Sequence, residues 1–321
     1  MSEVLQYDAG EPPASPAQSE DIGEIVNYRA ALMYARHALN HRPFSLGLLL
    51  ELHQRLLDSV RGASKNPGKF RNTQNWIGAP GSSIEAAYFV PPPPELIGDY
   101  LENFAGYYHS DRPDPVVQLA ILHAQFEIIH PFDDGNGRLG RMLIPLFLYE
   151  KKILFEPMFY LSGFFERNRD VYVERLRAIG NDTPAAWNEW IRFFMTAIIE
   201  QSKDNIATIE AIKDHYKNLK KEIVALTKSQ YAVAVLDHIF SMPVFRPADL
   251  AKEPGMPTRA QLGHIFDRLK DAGIVTIHTK GSGRRPEKLV FPSLINICEG
   301  RPALFDPRNN EKDKPEPGIC K

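Results

Sequence analysis

The stretch HPFDDGNGRLGR, residues 130–141, combines one histidine, two aspartates, three glycines, one asparagine and two arginines. Apolar residues at helical spacing precede it from Val116 to Ile129 and follow it from Leu139 to Glu150. The polar cluster is therefore predicted to lie in a turn between two buried helices. A buried turn with this many polar groups requires a ligand, and the groups present favour a nucleotide phosphate.

The glycines and arginines of this stretch predict an anion site. Gly135, Asn136 and Gly137 open the second helix, where free backbone N–H groups and the helix dipole attract an anion such as a diphosphate. Arg138 and Arg141 are three residues apart on the first turn, so both guanidinium groups can reach the same anion. Two arginines suit a polyphosphate better than a monophosphate.

The remaining polar residues predict a cation and a base. Asp134 would provide a carboxylate beside the phosphates, and Mg²⁺ binds one or two carboxylates together with phosphate oxygens. His130 ends the first helix and faces the predicted phosphates, where an imidazole that titrates near neutrality can accept a proton from a hydroxyl. Phe132 is predicted to anchor the turn in the core.

The same stretch resembles the signature of the Fic family, His-x-Phe-x-Asp/Glu-Gly-Asn-Gly-Arg-x-x-Arg, and matches every specified position. Residues 68–71, 75–78 and 90–94 resemble the family's target-binding flap, and residues 187–194 resemble its closing helix. The resemblance implies an adenylyltransferase (AMPylator). Such an enzyme moves AMP from ATP to a Ser, Thr or Tyr hydroxyl of a target protein, self-modification included, and releases pyrophosphate.

The resemblance also implies roles for individual residues. His130 would activate the target hydroxyl, Asp134 would hold Mg²⁺, and Arg138 and Arg141 would hold the β- and γ-phosphates. Asn168 lies in a region that lines the adenine pocket in relatives, although a helix N-cap is an equal alternative. The implied nucleotide-binding residues are Gly135, Asn136, Gly137, Arg138, Arg141 and Asn168. The implied flap residues that meet the target are Ile84, Tyr88, Phe89 and Val90.

Two further comparisons with the family concern the donor and its regulation. Phosphorylating members place Lys where Gly137 stands and lack the last arginine, so this chain favours AMP transfer. Many members carry an inhibitory Ser/Thr-x-x-x-Glu-Gly/Asn motif whose glutamate pairs with that last arginine. Glu102 and Glu299 precede Asn and Gly, but neither has Ser or Thr four residues earlier. We therefore expect either an amino-terminally shortened form or a constitutively competent enzyme.

Composition indicates a soluble protein. The 321 residues are 43% hydrophobic with a formal net charge of −2, which gives no general attraction to nucleic acid or to a membrane. No apolar run reaches the roughly 20 residues of a membrane-spanning helix, and no signal peptide begins the chain. We expect a cytoplasmic location. Cys298 and Cys320 lack metal-ligand spacing, and the resemblance leaves a homodimer open.

Periodicity predicts a mainly α fold with a β-hairpin beside a helical bundle, followed by a small winged helix-turn-helix domain. The resemblance implies that the bundle is of the Fic type and that the hairpin is its flap. We predict a flexible leader (1–20), a catalytic helical domain (21–220, with the flap at about 68–94), a winged-helix domain (221–300) and a disordered tail (301–321). The helices predicted for the catalytic domain span residues 22–39, 45–60, 95–109, 115–129, 137–151, 166–179 and 185 to about 219.

The predicted winged-helix domain has helices at 229–240, 247–252 and 258–272 and strands at 274–278 and 288–291. Thr258 and Gln261 match a capping box at the start of the third helix. The polar residues predicted to face outward or into a DNA groove are Arg259, Gln261, His264 and Arg268, with Arg284 and Arg285 in the wing. DNA is therefore one predicted partner, but winged helices also bind proteins, and acidic residues balance these arginines.

Two other functions compete with adenylyl transfer. His123, Glu127 and His130 share one helix face near Asp134, which could form the metal site of a hydrolase but leaves the paired arginines unexplained. An ATP-sensing winged-helix transcription regulator would also use the nucleotide site. Such a sensor has no need of His130 as a base, whereas a transferase requires one.

Overall fold

The computed structural model describes residues 13–79, 81, 83–180, 182–281 and 286–309, together with Val4, Tyr7 and Asp8. The chain divides into two compact units, one of residues 14–203 and one of residues 1–13 with 204–321. The prediction of a mainly helical chain is confirmed. None of the helices in the described part of the chain has the length and apolar content needed to cross a bilayer.

The unit of residues 14–203 consists of helices joined by turns. Its helices are α1 (Pro16–Leu39), α2 (Leu46–Leu56), α3 (Ile97–His109), α4 (Pro115–Ile129), α5 (Asn136–Glu150), α6 (Ser162–Arg167), α7 (Arg169–Ile179) and the first part of α8 (Pro184–Thr227), with 3₁₀ turns at Ile84–Ala86 and Pro94–Leu96. Helix α1 begins inside the predicted leader because Ser15 caps it, accepting a hydrogen bond from the Gln18 N–H at 3.1 Å.

Helices α4 and α5 form the centre of this unit, and the predicted pair of buried helices is confirmed. The Asp114 carboxylate caps α4 by accepting from the N–H groups of Val116 and Val117 at 2.8 and 3.1 Å. Both helices are apolar on most sides, so they are covered by their neighbours throughout the core. The buried Trp190 indole donates to the Ala120 carbonyl at 2.8 Å, which ties α8 to α4.

The helix predicted over 166–179 is confirmed from Arg169 to Ile179, but Asn168 interrupts it near its start. Asn168 has φ −118° and ψ 32°, and its side-chain amide donates to the Phe164 carbonyl at 2.9 Å. Asparagine competes with the helical backbone in this way, which favours a helix boundary. The helix predicted for 185–219 extends to Thr227, because its buried apolar positions continue through Leu219 and Ile223.

The predicted flap hairpin is reduced to one antiparallel bridge between Ile77 and Phe89. The four prolines that follow Val90 lack an N–H, so they cannot continue a ladder. No strand is assigned in the described residues of this segment; Pro80 and Ser82 lie outside them.

The other unit contains the rest of α8, three helices, a small sheet and a final helix. Its elements are α9 (Ala232–Ser241), β1 (Val244–Phe245), α10 (Pro247–Leu250), α11 (Arg259–Asp271), β2 (Thr276–Thr279), β3 (Lys288–Val290) and α12 (Pro292–Glu299). The sheet is antiparallel with strand order β1-β3-β2. Strand β1 and helix α12 were not predicted from the sequence.

Two sequence predictions for this unit can be compared with the structure. The capping box at Thr258 and Gln261 is confirmed. Arg268 is exposed on α11, as the sequence predicts, and its guanidinium also donates to the Leu226 and Thr227 carbonyls at 2.7 and 3.2 Å. These carbonyls end α8 and have no helical partners, so a cation is favoured there. Arg284 and Arg285 lie outside the described residues.

The first residues of the predicted disordered tail (301–321) are held by contacts in the structure. The Arg308 guanidinium donates to both Glu222 carboxylate oxygens at 3.0 and 2.9 Å, and the Leu304 N–H donates to the Asn296 side chain at 2.8 Å. These contacts hold residues that the sequence assigned to a disordered segment. Residues 310–321 lie outside the described part of the chain.

A substitution at Gly140 tests the packing of α4 on α5. A methyl group there would lie 2.3 Å from Glu127 Oε1 and 3.0 Å from Phe126 Cδ1. We expect Gly140→Ala to lower the free energy of unfolding by about 1–3 kcal/mol, because overpacking forces neighbours to move. Gly106→Ala on α3 is the control, since nothing lies within 4 Å of the added carbon. Equal urea denaturation midpoints for the two variants would contradict close packing at Gly140.

Candidate active site

The turn between α4 and α5 begins with a strained residue. His130 caps α4 in the left-handed conformation, with φ 48° and ψ 59°, and its N–H donates to the Phe126 carbonyl at 3.0 Å. This conformation is unfavourable for a residue with a Cβ, so surrounding contacts must stabilise it. The chain then reverses and enters α5 after Gly135, which has φ 79°.

The orientation of the His130 ring follows from its hydrogen bond. Nδ1 lies 3.4 Å from the Glu127 carbonyl oxygen, which can only accept, so Nδ1 carries the proton. Nε2 therefore keeps a lone pair. Burial, together with the positive charge of Arg71, lowers the pKa of His130 to about 4. The imidazole is neutral at pH 7 and can act as a base through Nε2.

Arg71 holds this turn in place. Its side chain is buried, and Nε donates to the His130 carbonyl at 2.9 Å, while Nη1 and Nη2 donate to the Thr73 and Pro92 carbonyls at 3.1 and 2.5 Å. Nη2 also lies 3.4 Å from the Ile129 carbonyl. One guanidinium thus connects the end of α4 to both sides of the flap. The planar five-donor shape of arginine makes this possible.

His53 supports the turn from the opposite side. Its Nδ1 accepts from the Gly68 N–H at 2.9 Å, so Nε2 carries the proton and donates to the Asp134 carbonyl at 3.0 Å. Its ring stacks on the buried Phe132 ring, with centroids 3.7 Å apart. Burial lowers the pKa of His53, which keeps this arrangement of protons at neutral pH. Phe132 is fully buried, as the sequence predicts.

The Asn136 side chain closes the turn on itself. Its Oδ1 accepts from the Phe132 N–H at 2.9 Å, and its Nδ2 donates to the Phe132 carbonyl at 2.7 Å. The amide is therefore committed to the protein. Only the backbone N–H groups at this end of α5, including those of Asn136 and Gly137, are placed to meet an anion.

The two arginines of the first turn of α5 differ in their surroundings. Arg138 Nη1 lies 3.1 Å from Glu24 Oε2, and Nη2 lies 3.4 Å from Asp134 Oδ1. Arg141 has no hydrogen bond or ion pair with any residue that the structure describes. Its guanidinium lies against Gly137, with Nη1 3.1 Å from where a Cβ would be. Arg141 and the backbone N–H groups at the start of α5 are groups that can bind an anion.

Comparison with known proteins agrees with this geometry. Residues 43–148 match the Fic/DOC family. The chain contains a Fic/DOC family domain. The matched segment includes α2, the flap segment, α4, the turn and most of α5. It therefore also includes His53 and Arg71, whose side chains hold the turn that begins at His130.

Proteins similar to this domain are named as protein adenylyltransferases. "Protein adenylyltransferase fic-1" of Caenorhabditis briggsae is 30% identical over 131 residues, which cover 39% of this chain and 24% of that protein. "Probable protein adenylyltransferase" of Aquifex aeolicus is 36% identical over 95 residues, covering 29% of this chain and 27% of that protein. The chain thus spans about a quarter of the length of these curated relatives.

A solved structure is similar in fold to most of this chain. A Fic family protein from Desulfovibrio desulfuricans G20 has a TM-score of 0.55 at 18% identity, covering 90% of this chain and 80% of that chain. At this identity the likeness concerns the fold alone.

The other predicted site residues lie around the Fic domain as follows. Asn168 separates α6 from α7 and makes no N-cap hydrogen bond, so its alternative role as a capping side chain is not realised. Ile84 and Phe89 are half-buried in the flap, whereas Tyr88 and Val90 are 56% and 46% exposed. The Arg177 guanidinium lies 5.0 Å from the Tyr88 ring centroid. The exposed flap side chains are available to a partner.

The geometry argues against the hydrolase alternative. His123 Nδ1 lies 3.3 Å from the Gly140 carbonyl and Nε2 lies 3.0 Å from the Tyr172 hydroxyl, so both ring nitrogens are occupied. Glu127 Oε1 is buried without a hydrogen-bond partner in the described part of the chain, and burial raises the pKa of its carboxyl to about 7. No cluster of three metal-ligating side chains occurs among the described residues.

Asp134 fits a different kind of metal site. Its side chain is 42% exposed, and Oδ1 accepts from the Gly135 N–H at 2.5 Å. A single accessible carboxylate beside a phosphate site is the donor set that Mg²⁺ uses when it binds together with a nucleotide. Asp134 is therefore the residue that would hold the ion.

Three residues outside the motif were not predicted as site residues: His53, Arg71 and Glu24. Arg71 and His53 act on backbone atoms, and every residue presents a carbonyl, so no pairing pattern in the sequence marks them. Glu24 could have been suspected only as one of several acidic residues on α1.

Replacing Arg71 tests its role in holding the turn. We expect Arg71→Lys to lower the free energy of unfolding by about 2 kcal/mol, because an ammonium cannot serve four separate carbonyls at once. Hydrogen exchange at the bridged Ile77 amide should also become faster. The control is Arg42→Lys, at a half-exposed ion pair with Glu51, which should leave the urea denaturation midpoint nearly unchanged. Similar losses in both variants would contradict the role given to Arg71.

Proposed function

We propose that the Fic domain transfers AMP from ATP to a hydroxyl of a target protein. The observation that carries this proposal is the neutral His130 ring at the turn before α5, whose Nδ1 is paired with the Glu127 carbonyl so that Nε2 keeps a lone pair. A target hydroxyl would lose its proton to Nε2 as its oxygen bonds to the α-phosphorus. The bond from that phosphorus to the bridging β-oxygen would break, and pyrophosphate would leave.

The first turn of α5 would hold the leaving group. Arg138, Arg141 and the backbone N–H groups beside Gly137 can neutralise charge on the β- and γ-phosphates as it develops. Mg²⁺ held by Asp134 would supply further positive charge to the same phosphates. Arg141 makes no ion pair with the described residues, although its charge lowers the pKa of the buried Glu127 carboxyl against the effect of burial, and this supports an arginine that can bind ATP.

We propose that the flap binds an extended segment of the target. Ile77 and Phe89 already pair across it, and the exposed Tyr88 and Val90 side chains lie beside that bridge. Backbone groups next to an isolated bridge can accept another strand. The target itself, its acceptor residue and its cellular context stay open.

For the second unit we propose a winged helix. Its order of α9, β1, α10, α11, β2 and β3, with β3 between the other strands, supports this assignment. The sequence alone favours DNA contact more strongly, because in the structure the Arg268 guanidinium donates to the Leu226 carbonyl at the end of α8. Protein binding is the alternative. Neither DNA binding nor protein binding requires that the nucleotide site sense ATP instead of transferring AMP.

The His130→Ala variant tests the proposed base. We expect a loss of transfer of at least about 100-fold, because a positioned base contributes this much or more, with ATP affinity nearly unchanged. Transfer would be followed by gel autoradiography with α-³²P-ATP and Mg²⁺ in a cell extract, and ATP binding by calorimetry. His41→Ala, an exposed histidine at the end of α1, is the control. Undiminished labelling by His130→Ala would contradict the proposal.

The pH dependence of transfer provides a second test. Because the pKa of His130 is lowered to about 4, the ring stays unprotonated well below its ordinary pKa of about 6.5. We therefore expect kcat/KM for transfer to decline on the acid side near pH 4–5, not near pH 6.5. Activity would be measured between pH 4.5 and 8, with folding checked by circular dichroism. A decline centred at pH 6.5 in folded protein would show that burial does not tune this base.

A further inference from the structure

Arg138, the first arginine of the phosphate-binding turn, already has an acidic neighbour from outside the motif. Its Nη1 lies 3.1 Å from Glu24 Oε2 on α1, and both side chains are mostly buried, at 19% and 23% exposed. Nη1 nevertheless makes no hydrogen bond to the described residues, although it is shielded from solvent. The contact between Glu24 and Arg138 is therefore one of charge.

The position of Glu24 is fixed by packing on either side of it. Gly23 allows α1 to approach the loop after α2, since a Cβ there would lie 2.8 Å from Val60 Cγ1. One turn further on, the Asn27 amide donates to the Asp58 carbonyl at 2.6 Å. These contacts fix the backbone of α1 beside Glu24, and the Glu24 carboxylate lies at Arg138 on the first turn of α5.

Glu24 also has a second cationic neighbour. Arg61 Nε lies 3.2 Å from Glu24 Oε1, and Arg61 also pairs with Asp21 and lies 3.5 Å from Glu20. Nearby Glu24, Asp21 and Glu20 raise the pKa of Arg61, so it stays charged. When a phosphate occupies Arg138, Arg61 can continue to neutralise Glu24.

We propose that Glu24 sets the affinity of the Fic domain for the triphosphate by competing for Arg138. This inference rests on the proposed function, because it requires Arg138 to bind phosphate. A phosphate oxygen that accepts from the Arg138 guanidinium comes close to the Glu24 carboxylate that pairs with it, and like charges that share one cation repel each other in a partly buried site. Glu24 thereby weakens ATP binding, and Arg61 limits the effect.

The competition predicts a dependence on ligand and on charge. ATP places its terminal phosphates at Arg138, whereas AMP lacks them. Removal of the Glu24 charge should therefore strengthen the binding of ATP and leave the binding of AMP unchanged. Glutamine keeps the size of the side chain and can still accept from Arg138, so Glu24→Gln isolates the charge from any role in positioning Arg138.

Calorimetric titration with Mg²⁺-ATP and with AMP tests this inference on the full chain. We expect Glu24→Gln to bind ATP about 3–10-fold more tightly than the wild type, and AMP with the same Kd. Glu20→Gln is the matched control, since Glu20 contacts Arg61 and not Arg138. It removes the same charge from the same helix and should change the Kd for ATP by less than 2-fold.

Arg61→Gln tests the inference separately, in case Glu24→Gln has a folding defect. Arg61→Gln leaves Glu24 without its second cation, so we expect it to weaken ATP binding about 2–5-fold, and we expect no such loss when Glu24→Gln is also present. ATP binding by Glu24→Gln that is unchanged or weaker, or an equal gain in Glu20→Gln, would overturn the inference. A wild-type chain that does not bind ATP would overturn the proposed function as well, whereas ATP binding without transfer would count against the transfer proposal alone.

Discussion

The candidate site depends on the buried guanidinium of Arg71. His130 adopts a left-handed conformation at the end of α4, and the Arg71 side chain donates to the His130 carbonyl while it also binds the flap at Thr73 and Pro92. Without this cation, four carbonyls of the turn and flap would lose a buried donor. The strain of His130 is thus balanced by a residue far away in the sequence, and the flap is fixed relative to the base.

Two further side chains also fix the backbone of the turn. The His53 side chain bonds to the backbone of Gly68 and Asp134, and the Asn136 side chain bonds to the backbone of Phe132. These two side chains therefore fix the loop and do not act on the substrate. The groups that we propose to act on ATP and the target are Nε2 of His130, the Asp134 carboxylate and the arginines of α5. A site prepared in this way needs little rearrangement when substrate binds, and such preorganisation is a major source of catalytic power.

The motif and the helices that flank it could be predicted from the sequence, because their residues are local and apolar periodicity marks the helices. The supports of the site could not be. Arg71 and His53 act on backbone atoms distant in the chain, and Glu24 reaches Arg138 only because Gly23 permits close packing on Val60. The break at Asn168 and the loss of the hairpin ladder before the prolines are local effects that helical and alternating patterns do not reveal.

The central claim is that ATP is cleaved between its α- and β-phosphates and that AMP remains on a protein. The most direct measurement incubates the chain and a protein extract with ATP labelled either at the α- or at the γ-phosphate, and follows both labels in protein and in released phosphate. The account predicts α-label on protein together with an equal amount of γ-label released as pyrophosphate. Incorporation of γ-label into protein, or release of γ-label as inorganic phosphate without protein labelling, would contradict it.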